Sequence, residues 1–309
     1  MDSIIEISKE TLQRIDEAKT LPDKQKALFD EWKKAHRFEE DWRRTTVYKD
    51  KTMRNCKPEK IKMVEKHYIT KCIIGDDIIF PGIEQDSFVE DGYIDEMCYL
   101  NARCKILFIL KEPNILMVRK KIENADSRSS VIWFKEFIDN NINDNRPWLR
   151  EKLARMAYYI LEKEKDRNES KNDDIYLNPD EKSYKAALRQ TAFMNLNKRG
   201  GDNKEVANKL VTYTKRYQKF IKKQIEILKP DYIVLLLREG LTKILLEDID
   251  IMSSTKAKII DMWHPSKQMR DVSQDKVIAS LQEYNKNIAK YMHRFVEMYN
   301  SAMNNKSQY

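Results

Sequence analysis

The predicted fold is built around Lys105–Asn114, which reads KILFILKEPN. Its consecutive apolar residues are typical of a strand that is buried on both faces, as in a parallel sheet. Polar residues follow at the point where such a strand leaves the sheet. Because ligands of open α/β folds bind beyond the carboxyl ends of the strands, Glu112 is a candidate catalytic carboxylate. A solvated turn closed by Pro113 fits the same residues, and the stretch alone leaves both interpretations open.

Three further apolar runs predict strands that alternate with helices: Thr191–Leu196, Tyr232–Leu237 and Lys258–Trp263. This alternation predicts an α/β fold in which a four-stranded parallel sheet is flanked by helices. We expect the α/β domain to cover residues 96–309. Residues 1–95 are then a mainly helical extension that also carries short strands, because isoleucines flank turn residues around Gly75.

Helix signals occur before, between and after these runs. Thr20–Asp23 is a capping signature, and it predicts a helix that continues to about residue 39. One long helix is expected over about residues 204–228, ending before Pro230, and the last helix over about residues 273–300.

Composition narrows the class of protein. The chain has 309 residues, of which 35% are charged and 41% hydrophobic, and its net charge is +8. The charge favours an anionic partner such as nucleic acid, although a merely basic surface explains it nearly as well. No apolar run reaches membrane-spanning length and the N-terminus does not resemble a signal peptide, so we expect no membrane partner and a cytoplasmic location. The four cysteines form no C-x-x-C pair, so neither a metal nor an iron–sulfur cluster is expected.

A basic stretch with interleaved aromatic residues lies in the extension. Such a mixture suits a nucleic-acid backbone with unstacked bases, and a solvated helix face explains it about as well. Its members are Arg37, Trp42, Arg43, Arg44, Tyr48, Lys49, Lys51 and Arg54.

Polar residues follow three of the predicted strands. Glu112 follows the first, Asn195 closes the second, and His264 follows the last. The carboxyl ends of parallel strands lie at one edge of a sheet, so these side chains are expected to converge there. Alternatively, Asn195 is a hydrogen-bonding residue at a strand end and His264 caps a turn.

Together, these motifs resemble the uracil-DNA glycosylase superfamily. The matching pieces are LKEPN (Leu110–Asn114), FMNLNK (Phe193–Lys198) and WHPS (Trp263–Ser266). The resemblance extends from about residue 105 to the C-terminus and does not include residues 1–90.

The resemblance implies a role for each of three residues. Glu112 stands where the family has the residue that activates water, and Asn195 where an amide reads the Watson–Crick edge of a flipped base. His264 stands where a histidine stabilises the negative charge on the leaving base. Breaking an N-glycosidic bond leaves positive charge on the sugar and negative charge on the base, which a carboxylate and an imidazole respectively stabilise.

The chain departs from the family pattern around the expected pocket. Asn114 follows Pro113 where the best-known branch has a tyrosine that excludes 5-substituted pyrimidines, and Lys111 places a cation at the pocket mouth. Ser266 completes the last motif. Trp133 and Phe134 are candidates to stack on the base, although buried core positions suit both better.

The loop after the last motif and the one after Asn195 are expected to contact DNA. The first lacks the family's Pro-Leu wedge, and Gln268 or Met269 is expected to fill the gap left by the base. The second contains Gly200 and Gly201, which permit close approach to a phosphate, but a plain loop is an equal alternative. The expected DNA-binding residues are Lys198, Arg199, Lys267, Gln268, Met269 and Arg270.

The implied activity is that of a monofunctional DNA glycosylase without metal or cofactor, whose product is an abasic site. The absent tyrosine indicates a substrate bulkier than uracil. The superfamily includes phage-defence glycosylases that excise glucosylated hydroxymethylcytosine, and the chain resembles a member of that group. Repair of uracil or another damaged base is the alternative within the class. The rival from another class is a catalytically silent nucleic-acid-binding protein on the same fold.

Overall fold

The computed structural model describes residues 4–35, 72–74, 77–79, 88, 90–111, 147–166, 179–198, 207–237, 239–265 and 281–304. The α-helices in this part of the chain are α1 Lys9–Glu17, α2 Leu21–Ala35, α3 Glu96–Leu100, α4 Pro147–Lys165, α5 Glu181–Arg189, α6 Ala207–Arg216, α7 Gln218–Leu228, α8 Glu239–Lys243 and α9 Leu281–Asn304. The strands are β1 Cys72–Ile74, β2 Asp77–Ile79, β3 Gly92–Tyr93, β4 Ile106–Leu110, β5 Thr191–Asn195, β6 Tyr232–Leu237 and β7 Lys258–Trp263. A π-helical turn, Ile244–Asp248, and a 3-10 turn, Ile251–Ser254, connect α8 to β7.

The main sheet has the strand order β3-β5-β4-β6-β7. Strand β6 runs parallel to both β4 and β7, whereas β3 pairs with β5 in the antiparallel direction. The four apolar runs are therefore confirmed as strands of an α/β fold, but the sheet has five strands. The additional strand has only two residues, too few to form a hydrophobic pattern.

The topology singles out the carboxyl end of β4. The chain passes from β4 to its neighbour β5 on one side, and then to β6 on the other side. Strand order reverses at this point, and open α/β sheets bind ligands beyond the strand ends where the order reverses. Lys111 is the first residue after β4.

Burial explains the strand sequences. All residues of β4, β5 and β6 are buried, in agreement with their continuous apolar character. The last strand, β7, lies at the edge of the sheet, and only Ile260 and Met262 in it are buried. Helices α4 and α9 contribute Tyr159 and Phe295 to the same core, with their rings 5.7 Å apart edge to face.

A side-chain cap begins α2 where the sequence predicts it. Thr20 Oγ1 accepts a hydrogen bond from the Asp23 main chain at 3.2 Å, which confirms the capping signature before α2.

The helix predicted over about residues 204–228 is divided into α6 and α7 at Tyr217, whose hydroxyl donates to the Ala35 carbonyl. The predicted hairpin is present as β1 and β2, with Ile73 opposite Ile78.

Contacts divide the chain into two compact units. The first contains Met1–Asp91, Lys111–Trp133 and Asn195–Gln224, and the second contains Gly92–Leu110, Phe134–Met194 and Ile225–Tyr309. The predicted boundary between residues 95 and 96 stays a prediction. Among the helices in the described ranges, none has the length and apolarity needed to cross a bilayer.

Candidate functional site

The segment after β4 is tied to the segment after β5. The Asn197 N–H donates to the Lys111 carbonyl at 2.9 Å, and the Lys111 side chain is partly buried. Glu112, Pro113 and Asn114 lie outside the described residues. This hydrogen bond places Lys111, which belongs to the first motif, beside the segment that follows Asn195.

Asn195 is the last residue of β5, and its side chain is almost completely buried. Its main-chain N–H donates to Asp91 Oδ2 at 2.6 Å. Its amide nitrogen, Nδ2, has no hydrogen-bond partner among the residues that the structure describes. The main chain of Asn195 is thus fixed, while its side chain presents an unused donor.

Asp91 is the centre of a buried polar network in the first unit. Besides the Asn195 N–H, its carboxylate accepts hydrogen bonds from Lys198 Nζ at 2.6 Å and from Gln224 Nε2 at 2.8 Å. A carboxylate only accepts hydrogen bonds, so it fixes the orientation of the Gln224 amide. The oxygen of the same amide, Gln224 Oε1, is buried and has no hydrogen-bond partner within the described ranges.

Lys198 lies in the interior and not on the surface expected for a phosphate contact. Its side chain is fully buried, and its ammonium is paired with Asp91. Burial lowers the pKa of Lys198 to about 8, and the charge of Asp91 opposes this shift. A DNA phosphate would have to displace the carboxylate, so this arrangement does not present Lys198 to DNA.

Aromatic rings enclose the Lys198 ammonium. Nζ lies 5.0 Å from the ring centroid of Trp32 and 5.8 Å from that of Phe29, distances at which a cation is attracted to a ring face. Phe88 and Phe220 pack against Trp32, with ring centroids 6.0 and 5.3 Å away. Helix α2 thus forms part of the environment that keeps the Asp91 network away from water.

His264 follows β7 in the second unit, and its side chain is partly buried. The carbonyls on both sides of it are held by side chains. The Tyr291 hydroxyl donates to the Trp263 carbonyl at 2.5 Å, and Lys152 Nζ donates to the Pro265 carbonyl at 3.2 Å. Helices α4 and α9 therefore fix the main chain around His264.

Lys152 is a buried cation beside this segment. Burial lowers its pKa to about 8. Its ammonium also donates to Asn287 Oδ1 at 3.3 Å and lies 4.4 Å from the ring centroid of Tyr291. These contacts compensate in part for the loss of hydration.

The structure thus brings part of the predicted site together. Lys111, Asn195 and Lys198 belong to the first unit, and His264 to the second. The other predicted site residues lie outside the described residues: Glu112, Pro113, Asn114, Arg199, Ser266, Lys267, Gln268, Met269 and Arg270. The candidate stacking residues Trp133 and Phe134 and the basic stretch from Arg37 to Arg54 lie outside them as well.

Sequence reasoning missed the roles of four residues that organise these surroundings: Asp91, Gln224, Lys152 and Tyr291. Asp91 precedes Gly92 and fits a turn, while the other three occur in regular helices. The helical spacing of apolar residues predicts that Tyr291 is buried, and this is confirmed, but it does not predict the hydrogen bond of the Tyr291 hydroxyl. Only burial in the folded chain distinguishes Gln224 and Lys152 from ordinary helix residues. In the described ranges, no three histidine, cysteine or acidic side chains are grouped as a metal site requires.

Comparison with known proteins does not assign the chain to a family. No protein-family model matches the chain, and neither the curated proteins nor the solved structures contain a significant match.

Proposed function

We propose that the protein is a DNA glycosylase that hydrolyses the N-glycosidic bond of a flipped, 5-modified pyrimidine. Glucosylated hydroxymethylcytosine is the representative substrate. Water adds to C1′ of the deoxyribose, and the bond electrons leave with the base, which then takes up a proton. The products are a free base and an abasic site, and the reaction needs no metal or cofactor.

The observation that carries the proposal is the unused amide donor of Asn195. A buried donor that lacks a partner costs about 1–3 kcal/mol, which a bound acceptor would offset. Nδ2 has none among the described residues. An acceptor on the edge of a bound base supplies the missing partner, as the resemblance implies for this position.

The main chain supports the same interpretation. Asp91 fixes the Asn195 N–H, so the main chain of Asn195 has little conformational freedom to lose when its side chain meets a base. The segment around His264 is likewise held from two helices. Donors that are fixed before the reaction stabilise developing charge more effectively than mobile ones.

The preference for a bulky modified base is inferred from the sequence. By the resemblance, Asn114 stands where a tyrosine would press against C5 of the pyrimidine, so a smaller side chain is expected to leave space there, and Lys111 is expected to supply a donor for a hydroxyl-rich substituent. A site that pairs a polar group with its substrate discriminates strongly against substrates that lack the partner. We therefore expect the bulky modified base to be excised faster than uracil.

A single-turnover excision assay on matched oligonucleotides tests the proposal. The oligonucleotides carry cytosine, uracil, hydroxymethylcytosine or glucosylated hydroxymethylcytosine at one position, and alkali cleaves wherever an abasic site forms. We expect cleavage that is fastest with the glucosylated base. Preferred release of uracil would support repair, and DNA binding without any base release would support the silent binding protein.

A further inference from the structure

The two carbonyls that flank His264 are hydrogen-bonded by side chains from different helices. Tyr291 in α9 holds the Trp263 carbonyl, and Lys152 in α4 holds the Pro265 carbonyl. Both side chains are buried. Side chains often hydrogen-bond to the backbone, but here both donors are removed from water and come from two different helices.

Pro265 adds a third constraint. A residue that precedes proline is restricted to extended backbone conformations, and His264 is such a residue. Its main chain is therefore limited by its own sequence and by a hydrogen bond on each side. The position of the imidazole then depends mainly on the rotation of the side chain.

The choice of lysine at position 152 also calls for an explanation. Burying an ammonium is costly, and an apolar residue of similar volume often gives an equally stable or more stable core. Lys152 nevertheless donates to the Pro265 carbonyl and to Asn287 Oδ1, and its ammonium lies against the ring of Tyr291. Lys152 and Tyr291 thus contact each other as well as the main chain on either side of His264.

We propose that Lys152 and Tyr291 are positioning residues that hold His264 where it stabilises the departing base. This inference rests on the proposed function, because it assigns the two side chains to the work of the same site. Neither is required to touch the DNA. Misplacing a reacting group by about 1 Å can lower a rate by about 100-fold, so loss of either side chain affects the chemical step more than DNA binding.

The test compares Tyr291→Phe and Lys152→Met with two controls. Tyr291→Phe keeps the ring and removes only the hydroxyl, and Lys152→Arg keeps a cationic donor. Tyr99→Phe is the matched control, because the Tyr99 hydroxyl also donates to a buried main-chain carbonyl of the second unit, that of Leu228, at 3.0 Å. Each variant is measured for single-turnover excision, for its Kd with DNA, and for the NMR signals of its four histidines.

We expect Tyr291→Phe and Lys152→Met to lower the excision rate by about 10- to 100-fold with a Kd changed by less than about twofold. Their His264 signal, assigned with His264→Ala, is expected to shift or broaden. Lys152→Arg should recover part of the rate, and Tyr99→Phe should match the wild type in all three measurements.

The proposal is overturned if both variants keep the wild-type His264 signal, or if they keep the wild-type excision rate. The NMR measurement needs no substrate. If the wild type releases no base, the proposed function fails, while the shift of the His264 signal in both variants still shows that they position this residue.

Discussion

The carboxylate of Asp91 accepts the main-chain N–H of Asn195 at 2.6 Å, although the two residues are 104 positions apart in the chain. The same carboxylate is paired with the buried ammonium of Lys198. The residue proposed to read the base is therefore attached to a buried charge pair that is shielded by aromatic rings. The main chain of Asn195, and not its side-chain amide, is held in place by this carboxylate.

Replacing Asn195 by Ala should remove excision with little loss of stability. Because Nδ2 has no partner among the described residues, its removal takes away an unsatisfied buried donor, so the free energy of unfolding should fall by less than about 1 kcal/mol or should rise. Excision should fall by about 100-fold or more. Urea unfolding and single-turnover assays measure the two effects.

Thr191→Val is the matched control on the same strand. The Thr191 hydroxyl is buried and donates to the Leu188 carbonyl at 2.7 Å. Its loss should cost about 1–2 kcal/mol of stability and leave excision intact. If Asn195→Ala is the more destabilising change and retains activity, the amide has a structural role.

Asp91 and Lys198 should be strongly coupled in a double-mutant cycle. Asp91→Asn leaves a buried ammonium without its counter-charge, so we expect a loss of about 3–5 kcal/mol. Combining it with Lys198→Met should restore a large part of that loss, since no buried charge then remains. Chemical denaturation of the four proteins measures the coupling, and strictly additive effects would contradict the ion pair.

Lys198 and Arg199 are neighbours in sequence but should differ in their contribution to DNA binding. Lys198 is buried, so Lys198→Met should leave the dependence of DNA affinity on salt unchanged. Arg199→Gln should lower the slope of log affinity against log salt by about one if Arg199 contacts a phosphate. A lower slope for Lys198→Met would show that its ammonium reaches DNA. An unchanged slope for Arg199→Gln would remove Arg199 from the DNA interface.

The strands were predictable because each depends on local sequence. Leu107 and Val234 lie in apolar runs that end at polar or proline residues, and both are buried in the sheet. Strand β3 was not predictable, because two residues cannot show a period. The break at Tyr217 was also missed, because it carries no proline or glycine and the Tyr217 hydroxyl contacts the distant Ala35 carbonyl.

The candidate site was predictable in its motifs but not in its surroundings. Asn195 and His264 could be identified because they follow apolar runs. Lys198 was expected at the surface, since it precedes an arginine and two glycines. Its burial depends on Asp91, which is 107 positions away in the chain. Pairing over such a separation cannot be read from the local pattern of a single sequence.

The stability conferred by Lys152 should rise with pH. Burial lowers its pKa to about 8, whereas an unfolded chain has the ordinary lysine value of about 10.4. Between about pH 8 and 10.4 the unfolded state binds more protons, so the wild type should gain up to about 1.4 kcal/mol per pH unit relative to Lys152→Met. Urea unfolding of both proteins at pH 7.5, 8.5 and 9.5 measures this difference. A difference that is constant or falls with pH would show that the Lys152 ammonium is not desolvated.

Mass analysis of the products distinguishes a DNA glycosylase from a protein that only binds DNA. Wild type and Glu112→Gln are each incubated in excess over DNA that carries one glucosylated hydroxymethylcytosine. For the wild type we predict an intact free base and an uncleaved strand with an abasic site. Glu112→Gln keeps the side-chain volume but lacks the charge that stabilises the sugar cation, so it should bind the DNA and release almost no base. An unchanged strand with the wild type would contradict the glycosylase activity, and equal base release by both proteins would contradict the role of Glu112.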